Sequence, residues 1–168
     1  MNVVEVNVKL PEGIFENIKM KRYSTKNFTF EELEYSDTAN RLNINNTIPE
    51  ELEDNARRLL DFLQAIREKW GSPIRINSGY RCPKLNKAVG GAKTSAHIYC
   101  NAADLFPING RFAEFKKFLI EYIKDKSWDQ CILESSGKPG TPNYVEWVHL
   151  SLYNNSGKQR KQIFSLEQ

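Results

Sequence analysis

Two histidines and one aspartate are the residues of this sequence best suited to metal chemistry. His97 and His149 are the only histidines in 168 residues, and Asp104 follows His97 by seven positions in "SAHIYCNAAD". Two imidazoles and one carboxylate form the ligand set of catalytic zinc sites, in which a fourth position stays open. The residues alone leave two readings: a three-ligand metal site, or a hydrogen-bonded His–Asp pair with a structural role.

Strand periodicity predicts which face of a sheet carries each of these residues. In "VEWVHLSLY", Val148 and Leu150 point to one face and His149 to the other, because side chains alternate along a strand. His149 then lines a cleft or is a surface imidazole. In "NAADLF", Asp104 and Leu105 likewise point to opposite faces of the sheet. A carboxylate in an apolar strand needs a hydrogen-bonding partner, an ion-pair partner or a metal.

Glu146 and Arg81 are further candidates, each with a plainer alternative. Glu146 precedes His149 by three residues, so a shared site requires it to lie in a turn before the strand or at a bulge. There it would act as a general base for hydrolysis; otherwise it is a solvated glutamate at a strand edge. Arg81 follows a tight glycine turn and could face an oxyanion or a substrate carboxylate, or be solvated.

The elements that must position these residues follow from periodicity and capping signals. Thr29 and Thr47 each precede a glutamate by three residues, which predicts two capping boxes. Helices gather early and strands late, and this order indicates an α+β fold. We predict helices at 29–36, 47–70, 83–89 and 110–126, and strands at 73–77, 101–106, 129–134, 145–153 and 161–166.

Length and composition limit the classes of protein that fit. The chain fits one main domain at 26–168, with an N-terminal extension at 1–25 of unknown role that includes a predicted short strand at 3–10. The net charge of +3 is scattered, so we expect no nucleic-acid partner. No apolar run approaches the ~18 residues of a membrane span, so we expect no membrane association.

The N-terminus and the cysteines bear on the compartment. The first residues lack a basic segment followed by an apolar one, so we expect cytoplasmic synthesis without a signal peptide. Cys82, Cys100 and Cys131 are odd in number and form no CxxC pair, which argues against a disulfide framework.

Four motifs in order resemble the zinc D-Ala-D-Ala carboxypeptidase group, peptidase family M15, which shares its core fold with the hedgehog signalling domain. They are "SGYR" at 78–81, "LNKAVGGAKTS" at 85–95, "SAHIYCNAAD" at 95–104 and "EWVH" at 146–149. The resemblance covers about residues 27–153 and is strongest to the short members common in phages and prophages. It implies a small antiparallel sheet with helices packed on one side.

The resemblance also implies a role for particular residues. His97, Asp104 and His149 would ligate one Zn²⁺ per chain, and Glu146, in a turn before the last motif's strand, would be the catalytic base. The motif glycine is Cys100 here, which suggests a relaxed loop, or a thiol near the metal that could itself be a soft ligand. Three further residues would contact the substrate or the tetrahedral intermediate: Arg81, Ser95 and Trp147.

The function implied is that of a monomeric zinc peptidase that hydrolyses peptide bonds in peptidoglycan stem peptides or cross-links. D,D-carboxypeptidase and endopeptidase activity are both open. We expect it to act on the bacterial wall after release, as a phage or prophage lysin, or as part of a phage particle. Two alternatives are a non-catalytic zinc-containing module that binds the wall or a protein, and a cysteine peptidase using Cys100 or Cys82.

Overall fold

The computed structural model describes residues 22–167. The strand predicted at 3–10, and most of the predicted extension at 1–25, lie outside the described residues. The last residues of that extension are described, and Arg22 pairs there with Glu34 at 2.8 Å. No helix within 22–167 is long and apolar enough to cross a membrane.

Five helices and five strands form the fold. The helices are α1 (Phe30–Glu34), α2 (Asp37–Arg41), α3 (Glu53–Trp70), α4 (Pro83–Ala88) and α5 (Phe112–Ile123). The strands are β1 (Ile74–Ser78), β2 (Ala102–Pro107), β3 (Gln130–Ser136), β4 (Val145–Ser151) and β5 (Gln162–Glu167). Short 3₁₀ turns occupy Glu50–Leu52 and Ala96–Tyr99. This mixture of helices and one sheet confirms the α+β class.

Local signals explain where the first and the longest helices begin and end. The predicted capping box at Thr29 forms, because its hydroxyl accepts from Glu32 N and the Glu32 carboxylate accepts from Thr29 N. The box predicted at Thr47 is wrong: the Thr47 amide and hydroxyl both donate to Asn45 Oδ1. The chain then enters α3 through the 3₁₀ turn, and Gly71, at φ +75°, ends it.

The strands form one sheet in the order β1-β2-β4-β3-β5. The first four strands pair antiparallel, as expected. The prediction of an antiparallel sheet is wrong at one edge, because β5 pairs parallel to β3. A parallel partner needs a crossover rather than a hairpin, and the segment after β4 provides it.

The two faces of the sheet have different roles. The inner face carries Ala103, Leu105, Val148 and Leu150, which pack into a core with apolar side chains of α3 and α5. The open face carries Asp104 and His149, as strand alternation predicted. Residues of α2 and α4 line a cavity with that open face, whereas α1, α3 and α5 contribute to the core. The expected packing of helices on one side therefore holds for part of the helices.

Candidate metal centre

His97, Asp104 and His149 converge at the floor of the open face. Asp104 of β2 lies directly opposite His149 of β4 in the antiparallel register, and the turn at Ala96–Tyr99 delivers His97 from outside the sheet. One ligand atom from each lies within 4.8 Å of the others, and all three residues are buried. The structure thus brings together the three predicted metal ligands from three separate segments.

A backbone carbonyl fixes the orientation of the His97 ring. His97 Nδ1 lies 2.6 Å from Gly79 O, and since a carbonyl only accepts, the ring donates from Nδ1. Nε2 then presents its lone pair to the cluster, which is the arrangement common to metal-binding histidines. Gly79 can lie against the backbone of α1 because it has no side chain: a Cβ there would lie 2.6 Å from Leu33 Cα.

The spacing of the three ligand atoms fits a small tetrahedral metal ion. His149 Nδ1 lies 3.0 Å from Asp104 Oδ1 and 3.1 Å from His97 Nε2. His97 Nε2 lies 3.2 Å from Asp104 Oδ1. Ligands about 2.0–2.1 Å from a tetrahedral zinc ion are separated by roughly 3.3 Å. The donor set and its spacing therefore fit zinc.

Electrostatics keep the cluster in the form that binds a cation. Burial lowers the pKa of His97, which keeps the ring neutral. Burial opposes the charge of Asp104, but the positive charge of His97 or His149 when protonated, and the hydrogen bonds the rings then donate, outweigh it and hold the pKa of that carboxyl below its usual range. A neutral His97 lone pair in contact with a carboxylate oxygen places two acceptors together, and a bound cation relieves that repulsion.

Arg81 lies at the centre but faces the aspartate. Its Nη2 donates to Asp104 Oδ2 at 2.7 Å and its Nε donates to Ser78 Oγ at 2.8 Å. One carboxylate oxygen of Asp104 is therefore held by Arg81, while the other, Oδ1, faces the two histidines. Arg81 therefore orients Asp104 in this structure. The predicted contact of Arg81 with substrate stays a prediction.

The structure does not bring Glu146 to the cluster. β4 is already regular at this residue, with Glu146 opposite Ser135 and His149 opposite Ile132. The expectation that Glu146 lies in a turn before the strand is therefore wrong, and the odd spacing places it on the inner face. There its carboxylate pairs with Lys116 Nζ of α5 at 3.2 Å.

Glu134 is the carboxylate that the open face offers instead. It pairs with Trp147 in the β3–β4 register, one alternation from the Ile132–His149 pair, so it shares the face of His149. Burial raises its pKa, and the charge of Asp104 adds to this effect. The alternation of "DQCILE", with Cys131 and Leu133 toward the core, is a sequence signal that would have found it.

Cys100 keeps the backbone conformation that the motif glycine would take. It lies at φ +53° and ψ +34°, in the left-handed region, so the expectation of a relaxed loop is wrong. The thiol is fully buried in the core, and burial raises its pKa to about 12. It is not among the clustered ligands of the described residues, and a protonated thiol is a poor nucleophile.

A cavity of about 610 Å³ opens above the cluster. The metal-ligand candidates, Glu134, Ser95 and Trp147 all line it. Ser95 begins the turn that carries His97, and no side-chain hydrogen bond of Ser95 caps that turn. Both Ser95 and Trp147 thus border the space in which their predicted contact with substrate would be made.

Comparison with known proteins agrees with this geometry. The family model described as Peptidase M15 matches residues 26–151. A zinc D-Ala-D-Ala carboxypeptidase of Streptomyces albus G is 50% identical over 44 residues, which are 26% of this chain and 17% of that protein. The chain therefore aligns with less than a fifth of the length of this curated relative.

Proposed function

Because the chain belongs to the peptidase M15 family, we propose that it is a zinc peptidase that cleaves peptide bonds of peptidoglycan, in stem peptides or cross-links. The observation that carries the proposal is the convergence of His97 Nε2, Asp104 Oδ1 and His149 Nδ1 within 3.0–3.2 Å of one another, below an open cavity. The wall substrate is supported by the likeness to a carboxypeptidase named for D-Ala-D-Ala.

The three converging residues would hold the metal. Zinc bound there supplies a Lewis acid that polarises the substrate carbonyl and lowers the pKa of water. Arg81 keeps Asp104 Oδ2 occupied, so that the carboxylate offers Oδ1 to the ion. Gly79 O sets the tautomer of His97, so that the ring binds through Nε2.

Glu134 is the residue we assign to proton transfer. It lines the cavity on the face of His149, and burial raises its pKa, which favours a group that must both take and give a proton. It would take the proton of the attacking water and deliver one to the departing amine. Glu146 cannot do so from the inner face, where Lys116 holds it.

Hydrolysis assays with and without metal test the proposal. Purified protein is incubated with intact peptidoglycan and with a stem pentapeptide ending in D-Ala-D-Ala, and new amino groups and released fragments are identified by mass spectrometry. We expect cleavage of at least one substrate, its loss after treatment with a chelator, and recovery on addition of Zn²⁺.

Two other outcomes would separate the alternatives. Binding to the wall by zinc-loaded protein without any cleavage would contradict the peptidase and support the zinc-containing binding module. Activity that survives chelation but is lost on thiol alkylation would support a cysteine peptidase. The fragment masses also identify the bond that is cut, which decides between carboxypeptidase and endopeptidase. Wall-lysis assays would then test the proposed role as a phage or prophage lysin.

A further inference from the structure

A second groove lies beside the metal centre, and no step of the proposed reaction uses it. We call it the asparagine groove; it encloses about 450 Å³. Residues that line it come from α3, from the segment between His97 and Asp104, and from the loop after β4. They are Asn55, Tyr99, Asn101, Tyr153, Asn154 and Asn155.

The asparagine groove adjoins the cavity above the metal centre. Asn154 and Asn155 line both spaces, so the two lie side by side. Tyr99 and Asn101 also flank Cys100 in the segment that carries His97 and Asp104. A group bound in the groove would therefore lie next to a peptide bound over the metal centre.

A buried, unpartnered oxygen of the groove indicates that it takes a hydrogen-bond donor. Asn101 is 7% exposed and its Oδ1 has no hydrogen-bond partner within the described structure. A buried acceptor of this kind is unfavourable unless a donor reaches it. A ligand N–H or O–H that enters the groove would provide that donor.

The walls of the groove are held in place by their own hydrogen bonds. Asn55 Nδ2 donates to Tyr99 O at 2.8 Å, and Arg58, which also lines the groove, donates to Asn55 Oδ1. Asn154 Oδ1 accepts from Lys158 N at 2.8 Å, which closes the loop after β4. A groove shaped before binding loses less conformational entropy when a ligand enters.

The chemistry of these walls suits a hydroxyl-rich ring with an amide, beside one positive charge on Arg58. Asn101 Oδ1 offers a ligand an acceptor, whereas Asn55 and Asn154 Oδ1 are engaged within the walls. None of the described residues that line the groove is acidic, and Arg58 is the one charged side chain among them. Tyr99 is 37% exposed and Tyr153 half-buried, so both tyrosines offer ring surface to a ligand. Hydroxyl and acetamido groups match the amides, and the C–H faces of a sugar ring match the tyrosines.

We propose that the asparagine groove binds an N-acetylated amino sugar, the glycan part of peptidoglycan, while the attached stem peptide lies over the metal centre. The inference rests on the proposed peptidase function for its link to catalysis, but not for sugar binding itself. A second peptide strand is the competing occupant, since asparagine amides also bind peptide backbone. Cleavage and binding measurements distinguish the two.

The first experiment measures sugar binding without any reaction. Tri-N-acetylchitotriose is titrated into the full chain and binding is followed by NMR of the asparagine side-chain amides. We expect saturable shifts, with about two- to tenfold weaker binding for Tyr99→Ala, because a lost ring contact has about that effect. Tyr23→Ala is the matched control, since Tyr23 is also 37% exposed but lies outside the groove.

The second experiment compares kcat/KM for a disaccharide-linked stem peptide with that for the same peptide freed of sugar. We expect the linked peptide to be preferred about two- to tenfold, and the preference to disappear in Tyr99→Ala but not in Tyr23→Ala. No chitotriose binding, together with equal cleavage of both peptides, would overturn the sugar site and leave the peptidase standing. Chitotriose binding without any cleavage would sustain the sugar site and overturn the peptidase.

Discussion

Glu134 and Glu146 lie on opposite faces of the sheet, and this is the reason we propose that Glu134 rather than Glu146 acts on the substrate. Glu134 shares the open face with His149, whereas Glu146 pairs with Lys116 on the inner face. The motif resemblance favoured Glu146 despite its odd spacing from His149, but strand register, which sets the face of the sheet, favours Glu134.

Matched substitutions of the two glutamates test this assignment. We expect Glu134→Gln to lower kcat by about 10²–10⁴-fold with zinc content unchanged, because a general base contributes about that much. Glu146→Gln removes only a half-exposed ion pair, so kcat should change little and the free energy of unfolding by less than about 1 kcal/mol. The reverse order of the two kcat losses would return the base to Glu146.

The three candidate metal ligands could be predicted from the sequence, but the neighbouring residues that hold them in place could not. Scarce histidines, strand alternation and the motif resemblance together identified His97, Asp104 and His149. The bond from His97 to Gly79 O and the turn of Arg81 toward Asp104 depend on contacts between distant segments. Cys100 was recognised as unusual, yet only the structure shows that its thiol enters the core while the backbone stays left-handed.

At the level of elements, the close approach of β1 to α1 supports the metal centre. Tyr80 N donates to Leu33 O at 2.7 Å, and Gly79, immediately before it, accepts from His97. The absence of a side chain at Gly79 is what permits this approach, because an added Cβ would meet the Leu33 backbone at 2.6 Å.

Gly79→Ala should therefore weaken both the fold and metal binding. We expect a loss of about 1–3 kcal/mol in the free energy of unfolding, typical of an overpacked site, and a lower zinc affinity because the His97 anchor shifts. Denaturant unfolding and zinc titration measure the two effects. Gly140→Ala is the control: it also adds a methyl, but nothing lies within 4 Å, so only positive-φ strain should appear. Equal zinc affinity in both variants would contradict the anchoring role.

The parallel strand β5 is secured by an ion pair at the base of β3. Arg160, just before β5, donates to both carboxylate oxygens of Asp129, at 2.7 and 2.6 Å, and Asp129 is fully buried. Burial raises the pKa of Asp129, but the bonds from Arg160 outweigh it and lower the pKa overall. The charged form is thus stabilised in the folded state.

This pair predicts a pH-dependent stability. Since the folded pKa of Asp129 is lowered, its contribution is present above the unfolded value of about 3.9 and is lost as the pH falls through the folded value. We expect Asp129→Asn to lose about 2–3 kcal/mol at pH 7, and the difference from the native chain to shrink below about pH 4. Urea unfolding at several pH values measures it, and a difference that is the same at pH 7 and pH 3 would contradict it.

For the whole molecule, the sequence predicted the class, the helices around the core and the antiparallel type of three of the four strand pairings. It did not predict that β5 joins β3 in parallel, because that pairing joins strands 32 residues apart in register, such as Gln130 with Gln162, and has no hairpin signal. It also missed α2, whose five residues bury only Ala39 and therefore show no helical periodicity.

Metal binding would add a further link between three segments of the chain. The three ligands come from the turn at Ala96–Tyr99, from β2 and from β4, so an ion would link the turn to the centre of the sheet. A ligand that binds only the folded state stabilises that state. Zinc should therefore raise the free energy of unfolding in addition to its role in peptide hydrolysis.

The stoichiometry of bound metal tests the account most directly. Zinc is measured by elemental mass spectrometry in the native chain and in His97→Ala, Asp104→Ala and His149→Ala, with Glu146→Gln as control and circular dichroism to confirm folding. The account predicts about one zinc ion per native chain, the same in Glu146→Gln, and loss of the ion in the three ligand variants. A native chain that carries no zinc after gentle purification, and binds none on addition, would contradict it.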